Sequence, residues 1–390
     1  MTFVLALSFG SNVAFLALDT APSIRNFLNQ KILDNNPLPV DEAKLEAEVL
    51  AASLKMAESQ TVSMPMKENN GVVRTLVDEI VRHRDSQSDL YFYPKAYLFA
   101  GVSDWDINKH RLDVMDKLKG TFDKFVRSDG RPSFPLDKVD QVPFGIAAIN
   151  FYKTYGDRRY KIMAEAIFQK IKSWAADDDV IPYRFGKTSP FLVDTLGMLC
   201  PFLARYGKAF HDSDAMRIAK IQIQHYIQYG IDKDSFLPFH GIHRSGNLRL
   251  GPTNWGRGIG WYLLALAEYH ANSGTEFDTE LYGLLKTLEL LSLDDSTWSQ
   301  FPGSSERFDS STTTMFLYGG AISQFKSFPA EKIYAGLKKS IYRGIVKSSS
   351  GDTLWINQYS KNFGDSELSQ GMLMMFLGLS VEPGASVTRQ

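Results

Sequence analysis

The chain has 390 residues, 44% of them hydrophobic, enough for one large core or two modest ones. Its 43 Lys and Arg against 44 Asp and Glu leave a formal charge of -1, which excludes the globally basic face of a nucleic-acid binder. The single cysteine, Cys200, excludes internal disulfides and multi-cysteine metal sites, and its apolar neighbours Leu199 and Phe202 make it core filler rather than a nucleophile.

Residues 1–20 form an apolar N-terminal segment. Its stretch from Thr2 to Leu18 is nearly charge-free and about 17 residues long, the lower limit for a membrane span. No Lys or Arg precedes it and no small-x-small cleavage site follows, so it reads as an uncleaved anchor or an atypical signal. This predicts membrane anchoring through residues 2–18 and a place at the cell envelope, with the cytoplasm as the alternative. Residues 21–39, with Asn35, Asn36, Pro37 and Pro39 as breakers, form a connector. Residues 40–390 are expected to be a single domain.

Within that domain, apolar residues at three- and four-residue steps predict helices over 41–60, 71–84 and 106–126. A loose repeat follows. An apolar helix ending at Tyr155-Gly156 precedes a more polar one over 158–174. The pattern recurs as 191–207 with 213–229, as 261–274 with 276–293 and as 313–325 with 330–346, and 368–379 starts a further unit. The first helix of each pair is apolar nearly all round and must be buried on all sides, whereas the second keeps a polar face. Two concentric layers follow: an all-α toroid of helical hairpins. Short aromatic segments precede the buried helices (Ile181-Pro182-Tyr183, Phe236 to Gly241, Trp298 to Gly303, Leu354-Trp355-Ile356) and belong on one rim. The polar residues at the inner-helix starts, Asp194, Arg257, Asp309 to Thr314 and Ser369-Gln370, converge on the same mouth.

The most distinctive stretch is Asn254-Trp255-Gly256-Arg257-Gly258-Ile259-Gly260-Trp261. Three glycines at a helix start weaken the helix by about 1 kcal/mol each relative to alanine. They let backbone approach a ligand, while tryptophans offer flat apolar faces and arginine a fork that fits a carboxylate. The mixture points to a carbohydrate pocket with an acidic ligand. Asp194, in Phe191-Leu192-Val193-Asp194-Thr195-Leu196, is either a desolvated general acid or a helix-start carboxylate behind a Ser189 cap. Asp140 opens the helix that ends at Tyr155 and taken alone reads as a cap; two carboxylates at neighbouring inner-helix starts, however, are what acid/base sugar chemistry uses. His240 and His243 lie in an aromatic loop without metal-ligand spacing, Asp177-Asp178-Asp179 reads as a solvated turn, and the glycine-rich stretch lacks the lysine of a phosphate loop. No metal is expected.

Together these motifs resemble glycoside hydrolase families 88 and 105, the unsaturated glucuronyl and rhamnogalacturonyl hydrolases. Trp255, Arg257, Gly258 and Trp261 match a Trp-x-Arg-Gly-x-x-Trp helix start, Asp194-Thr195-Leu196 an Asp-Thr-Leu/Met start, and Phe239-His240-Gly241 an aromatic-His-Gly loop. Asp140 matches the family's first acid, and Asp309 to Phe316 is similar to a Glu-Thr-Ser-Gly-Thr-Ala-Met-Phe segment. The likeness covers roughly residues 130–375. It implies an (α/α)6 barrel with short rim strands and removal of a terminal 4,5-unsaturated uronic acid from an oligosaccharide. In that reaction Asp194 is the proton donor and water activator, Asp140 orients hydroxyls or shares protons, and His240 holds the substrate near the reacting carbons. Trp255 and Trp261 stack on rings, Arg257 meets an acidic or polar substituent, and no cofactor takes part. Departures are Ile259, where the family has Asn or Gln, the Gln141-Val142-Pro143 pattern after the first acid, and Pro201, which is expected to bend its helix. Two other readings stand beside this one: another sugar enzyme on the same toroid, such as a polysaccharide lyase, and a catalytically silent carbohydrate-binding envelope protein.

Overall fold

A computed structural model describes residues 31, 41–66, 92–175, 179–185, 189–244, 246, 248–305 and 307–379. The apolar segment 1–20, the connector 21–39 apart from Lys31, and the helix expected over 71–84 lie outside the described residues. Among the described residues no helix is long and apolar enough to cross a membrane.

Twelve α-helices alternate between two layers of the described structure. The inner ring consists of α2 (Tyr93–Lys109), α4 (Phe144–Tyr155), α6 (Asp194–Phe210), α8 (Gly256–Asn272), α10 (Ser310–Ile322) and α12 (Glu367–Gly378). The outer layer consists of α1 (Glu42–Glu58), α3 (Leu112–Phe122), α5 (Arg158–Trp174), α7 (Ser213–Tyr229), α9 (Asp278–Leu290) and α11 (Ala330–Lys338). Each inner helix packs on its two ring neighbours, and α12 closes the circle against α2. Helices α3, α5, α7, α9 and α11 back the inner helix that precedes them, while α1 backs α12. This is the expected (α/α)6 barrel.

Burial follows the pattern in the sequence. In α8 every residue from Gly256 to Tyr269 is buried, whereas α7 buries one face through Ala215, Ile218, Ala219, Gln222, Ile223 and Tyr226. Side chains accept from backbone N–H groups at the starts of α1, α5, α7, α10 and α12, from Asp41, Asp157, Asp212, Asp309 and Ser366. The joint between α1 and α12 is held by Glu367, whose carboxylate accepts from the backbone N–H groups of Ser63 (2.6 Å) and Met64 (3.2 Å).

Two elements differ from expectation. The periodicity over 106–126 spans two helices: α2 ends where His110 turns left-handed (φ 54°), and α3 starts at Leu112. Most of α2 was not read as a helix, because its short apolar run Ala96 to Val102 has no amphipathic stripe and lies ahead of the paired repeat that marked the other buried helices. The segment 330–346 stops as a helix at Lys338. It continues as a hairpin of β4 (Ile341–Tyr342) and β5 (Ile345–Val346), turned by Arg343 and Gly344, both with positive φ. Helix α6 runs unbroken through Pro201.

The rim carries short strands. Strands β1 (Phe191–Leu192), β2 (Gly241–Ile242) and β3 (Arg249–Leu250) form one small antiparallel sheet, and β6 (Ser349–Ser350) pairs with β7 (Phe363–Gly364). They lie just ahead of α6, α8 and α12, so they organise the end of the barrel where inner helices begin.

Candidate active site

At that end lies a cleft of about 510 Å3, lined among others by Asp140, Asp194, His240 and Asp352. Strand pairing brings the middle two together. Leu192 stands opposite Gly241, and the Val193 N–H donates to the His240 carbonyl at 2.9 Å, so the residues flanking the bridge become neighbours. The His240 Nε2 atom lies 3.5 Å from Asp194 Oδ2. Its other nitrogen, Nδ1, is 2.8 Å from the Tyr359 hydroxyl. The Trp255 indole packs on the imidazole with centroids 4.3 Å apart, fixing the ring from behind. Asp194 Oδ2 has no hydrogen-bond partner among the described residues, although it is shielded from solvent. That oxygen faces the His240 imidazole, so the two side chains act as a pair at the cleft.

Asp140 sits in a 3-10 turn, Val139–Gln141, just ahead of α4, and accepts a short hydrogen bond from the Tyr183 hydroxyl. Burial pushes its carboxyl up to about 7; the Tyr183 hydroxyl opposes that shift, and the nearby Asp352 and Asp194 add to it. Asp140 therefore keeps a proton into the neutral range.

The third acid, Asp352, does not figure in the sequence reading. It accepts from the Tyr93 hydroxyl at 2.8 Å, and its backbone N–H donates to the Pro65 carbonyl at 2.7 Å. Burial raises its pKa, against the pull of Arg257 and the Tyr93 hydroxyl. Its signal was its position in Gly351-Asp352-Thr353, immediately before the rim segment Leu354-Trp355-Ile356. Tyr183 stands in another of those rim segments. Lys138 and Arg184, also at the cleft, had no motif to mark them.

The tryptophan motif serves the site indirectly. The Arg257 guanidinium is buried and donates to the Ser350 carbonyl (2.8 Å) and Oγ (2.5 Å), the Gly351 carbonyl (2.6 Å) and Thr353 Oγ1 (3.0 Å). It thus clamps the segment that carries Asp352 rather than facing the cleft. Trp261 is 1% exposed, at 5.5 Å edge-on to Tyr93 and 5.7 Å stacked on Tyr97, behind the cleft wall. The glycines let helices approach each other and not a ligand: a Cβ on Gly256 would stand 2.2 Å from Thr312 Oγ1, and one on Gly260 2.7 Å from the Met315 methyl. The aromatic rings that do line the cleft are those of Phe92, Tyr93, Tyr183, Phe185 and Trp355. The structure thus brings Asp140, Asp194 and His240 together at the cleft. It puts Trp255, Arg257 and Trp261 in supporting positions around it.

Asp309, at the start of α10, is fully buried and joins the same scaffold. Its carboxylate accepts from the Ser311 N–H and hydroxyl, the Thr312 hydroxyl, and both the N–H (2.9 Å) and hydroxyl (2.8 Å) of Ser350. Ser350 is therefore held by Asp309 on one side and Arg257 on the other.

Known structures share this architecture. A possible family 105 member from Klebsiella pneumoniae superposes with a TM-score of 0.67 at 14% identity, over 88% of this chain and 94% of that one. An unsaturated glucuronyl hydrolase from Bacillus sp. GL1, responsible for glycosaminoglycan degradation, gives 0.64 at 14% identity, over 88% and 97%. A polysaccharide lyase gives 0.57 at 13% identity, over 78% and 95%. At these identities the likeness shows the fold alone. No curated protein matches the sequence. The sequence model of Glycosyl Hydrolase Family 88 matches residues 66–362, a span that carries Asp140, Asp194, Asp352 and the tryptophan motif. The chain belongs to glycosyl hydrolase family 88 and is a glycoside hydrolase.

Proposed function

We propose that this hydrolase removes a terminal 4,5-unsaturated uronic acid from an oligosaccharide left by a polysaccharide lyase. The observation that carries the reading is the Asp194–His240 pair at a cleft where a second acid, Asp140, holds a proton to about pH 7. Asp194 delivers a proton to C4 of the vinyl ether, and the resulting positive charge is shared between C5 and the ring oxygen. Water adds at C5 and returns its proton to the Asp194 carboxylate. The hemiketal then opens and the rest of the sugar chain leaves with its hydroxyl restored. His240, braced by Tyr359 and Trp255, orients the substrate against Asp194, while Asp140 and Tyr183 bind ring hydroxyls. Asp352 is held to the same cleft by Arg257 and Tyr93. The family, the resemblance of the motifs and the named glucuronyl hydrolases with the same fold all support this substrate class. Attachment to a membrane through residues 2–18 draws support only from their apolar sequence.

The test is a panel of lyase-digested acidic polysaccharides followed by ultraviolet absorbance of the conjugated double bond. This reaction makes the signal fall; a lyase makes it rise, and a silent binder leaves it flat. Asp194→Asn is expected to lower turnover by about 100-fold or more, the scale of losing a general acid, while substrate binding persists. Near-normal turnover in that variant removes Asp194 from the role.

A further inference from the structure

Two cations at the mouth of the cleft make no close ion pair, although Asp137 lines the same cleft and the Lys138 charge acts on Asp140 through space. Lys138 precedes Asp140 by two residues and Arg184 follows Tyr183 directly, so the Asp140–Tyr183 hydrogen bond draws both to one cleft. The Lys138 ammonium lies 4.5 Å from the Phe92 ring centroid, and the Arg184 guanidinium 4.8 Å from that of Trp355. Neither side chain makes an ion pair with a described carboxylate, whereas Lys119, Arg159 and Arg217 pair with Asp123, Asp157 and Asp214. Both residues are exposed, unlike Arg257, whose donors are spent on Ser350, Gly351 and Thr353.

The position of this pair matters for an enzyme that works from a chain end. The terminal ring must reach Asp194, so the next sugar lies towards the mouth, beside Lys138 and Arg184. A guanidinium resting on an indole keeps its N–H edge free and its plane fixed, ready for two oxygens of one acidic group. Neither cation is locked to the carboxylates of the cleft, Asp137, Asp140, Asp194 and Asp352, so both remain available to an anion carried by the sugar. We propose that Lys138 and Arg184 form an anion-recognition subsite for the sugar on the leaving side of the scissile bond. The preferred substrate then carries a carboxylate or sulfate on its second ring. This inference rests on the hydrolase reading for which ring lies where.

The test compares disaccharides that share one unsaturated uronyl ring and differ in the second sugar: neutral, carboxylated or sulfated. The readout is the ratio of kcat/KM for each acidic substrate to that for the neutral one, in which effects on the shared chemistry cancel. The unaltered enzyme is expected to favour an acidic second ring, and the better of the two acidic arms identifies its anion. Lys138→Gln and Arg184→Gln are each expected to lower that ratio by about tenfold, the scale of one charge-assisted hydrogen bond. Arg184→Lys keeps part of the preference, and added salt erodes it. A ratio unchanged by both Gln substitutions, or a preference of the unaltered enzyme for the neutral ring, overturns the proposal. If no disaccharide is turned over, the hydrolase reading fails by itself. Calorimetric binding of the same three ligands to the unaltered and substituted proteins then decides the subsite by the same ratio.

Discussion

The proton on Asp140 is set by neighbours that pull in opposite directions. The Tyr183 hydroxyl stabilises the carboxylate, while Asp352 and Asp194 disfavour it as like charges. Tyr183→Phe is therefore expected to move the Asp140 limb of the pH–rate profile upward from about 7, and Asp352→Asn to move it downward. Shifts of the same sign in both variants would separate that limb from Asp140. The same group bears on stability. Its folded pKa lies above the ordinary carboxylate value of 3.8, so the folded state binds the proton more tightly. Its contribution is fully present below that value and is lost as pH rises towards about 7, and Asp140→Asn removes this part of the slope. Asp140, Asp194 and His240 were legible because each sits in a compact local motif. Asp352 was not, since only strand pairing and the Arg257 clamp bring it to the cleft. Arg257 and Trp261 were legible as unusual residues but not as buried ones, because the same side chains suit a ligand or a wall.

Helix α6 is interrupted chemically by Pro201 without being broken. Proline has no N–H to offer the carbonyl four residues back, at Gly197. The Tyr97 hydroxyl, from α2, supplies the missing donor to that oxygen. That donor stands on the one inner helix the sequence did not disclose. Tyr97→Phe is expected to cost about 1–3 kcal/mol, the penalty for stranding a buried acceptor. In a Pro201→Ala background, where residue 201 regains its N–H, the same change is expected to cost much less. Denaturant unfolding of the four proteins closes the cycle, and equal costs in both backgrounds would refute the pairing. The outer helices were the easiest to read, α5 and α7 especially, because one buried face and an aspartate cap mark each.

Across the whole barrel, the end away from the cleft is organised by one guanidinium. Arg205 of α6 donates to both Asp104 oxygens (2.8 and 2.7 Å) on α2, to Glu268 (2.9 and 2.5 Å) on α8 and to the Tyr318 hydroxyl (2.7 Å) on α10. Asn150 of α4 donates to Asp104 at 2.7 Å, so five of the six inner helices meet at this cluster. Removing the cation strands two carboxylates in the interior. Arg205→Met is expected to destabilise the fold by about 3–5 kcal/mol, visible as a lower denaturation midpoint. A loss below about 1 kcal/mol would mean that the cluster is solvated or redundant. The layered ring was legible from alternating apolar and half-polar helices, whereas this cluster was not, because its charges come from separate helices with no shared local motif.

The pairing of α1 with α12 has a consequence for how such a chain assembles. The first described outer helix packs on α2 and α3, but its seat is completed only by the last inner helix, and the Glu367 clasp on Ser63 and Met64 joins positions about 300 residues apart. During synthesis, early hairpins can stack as they emerge, but the circle stays an open arc until the final staves arrive. The apolar flanks of α1 and α2 await a mate through most of translation, so the vulnerable stage of this protein's life is the interval before its two ends meet.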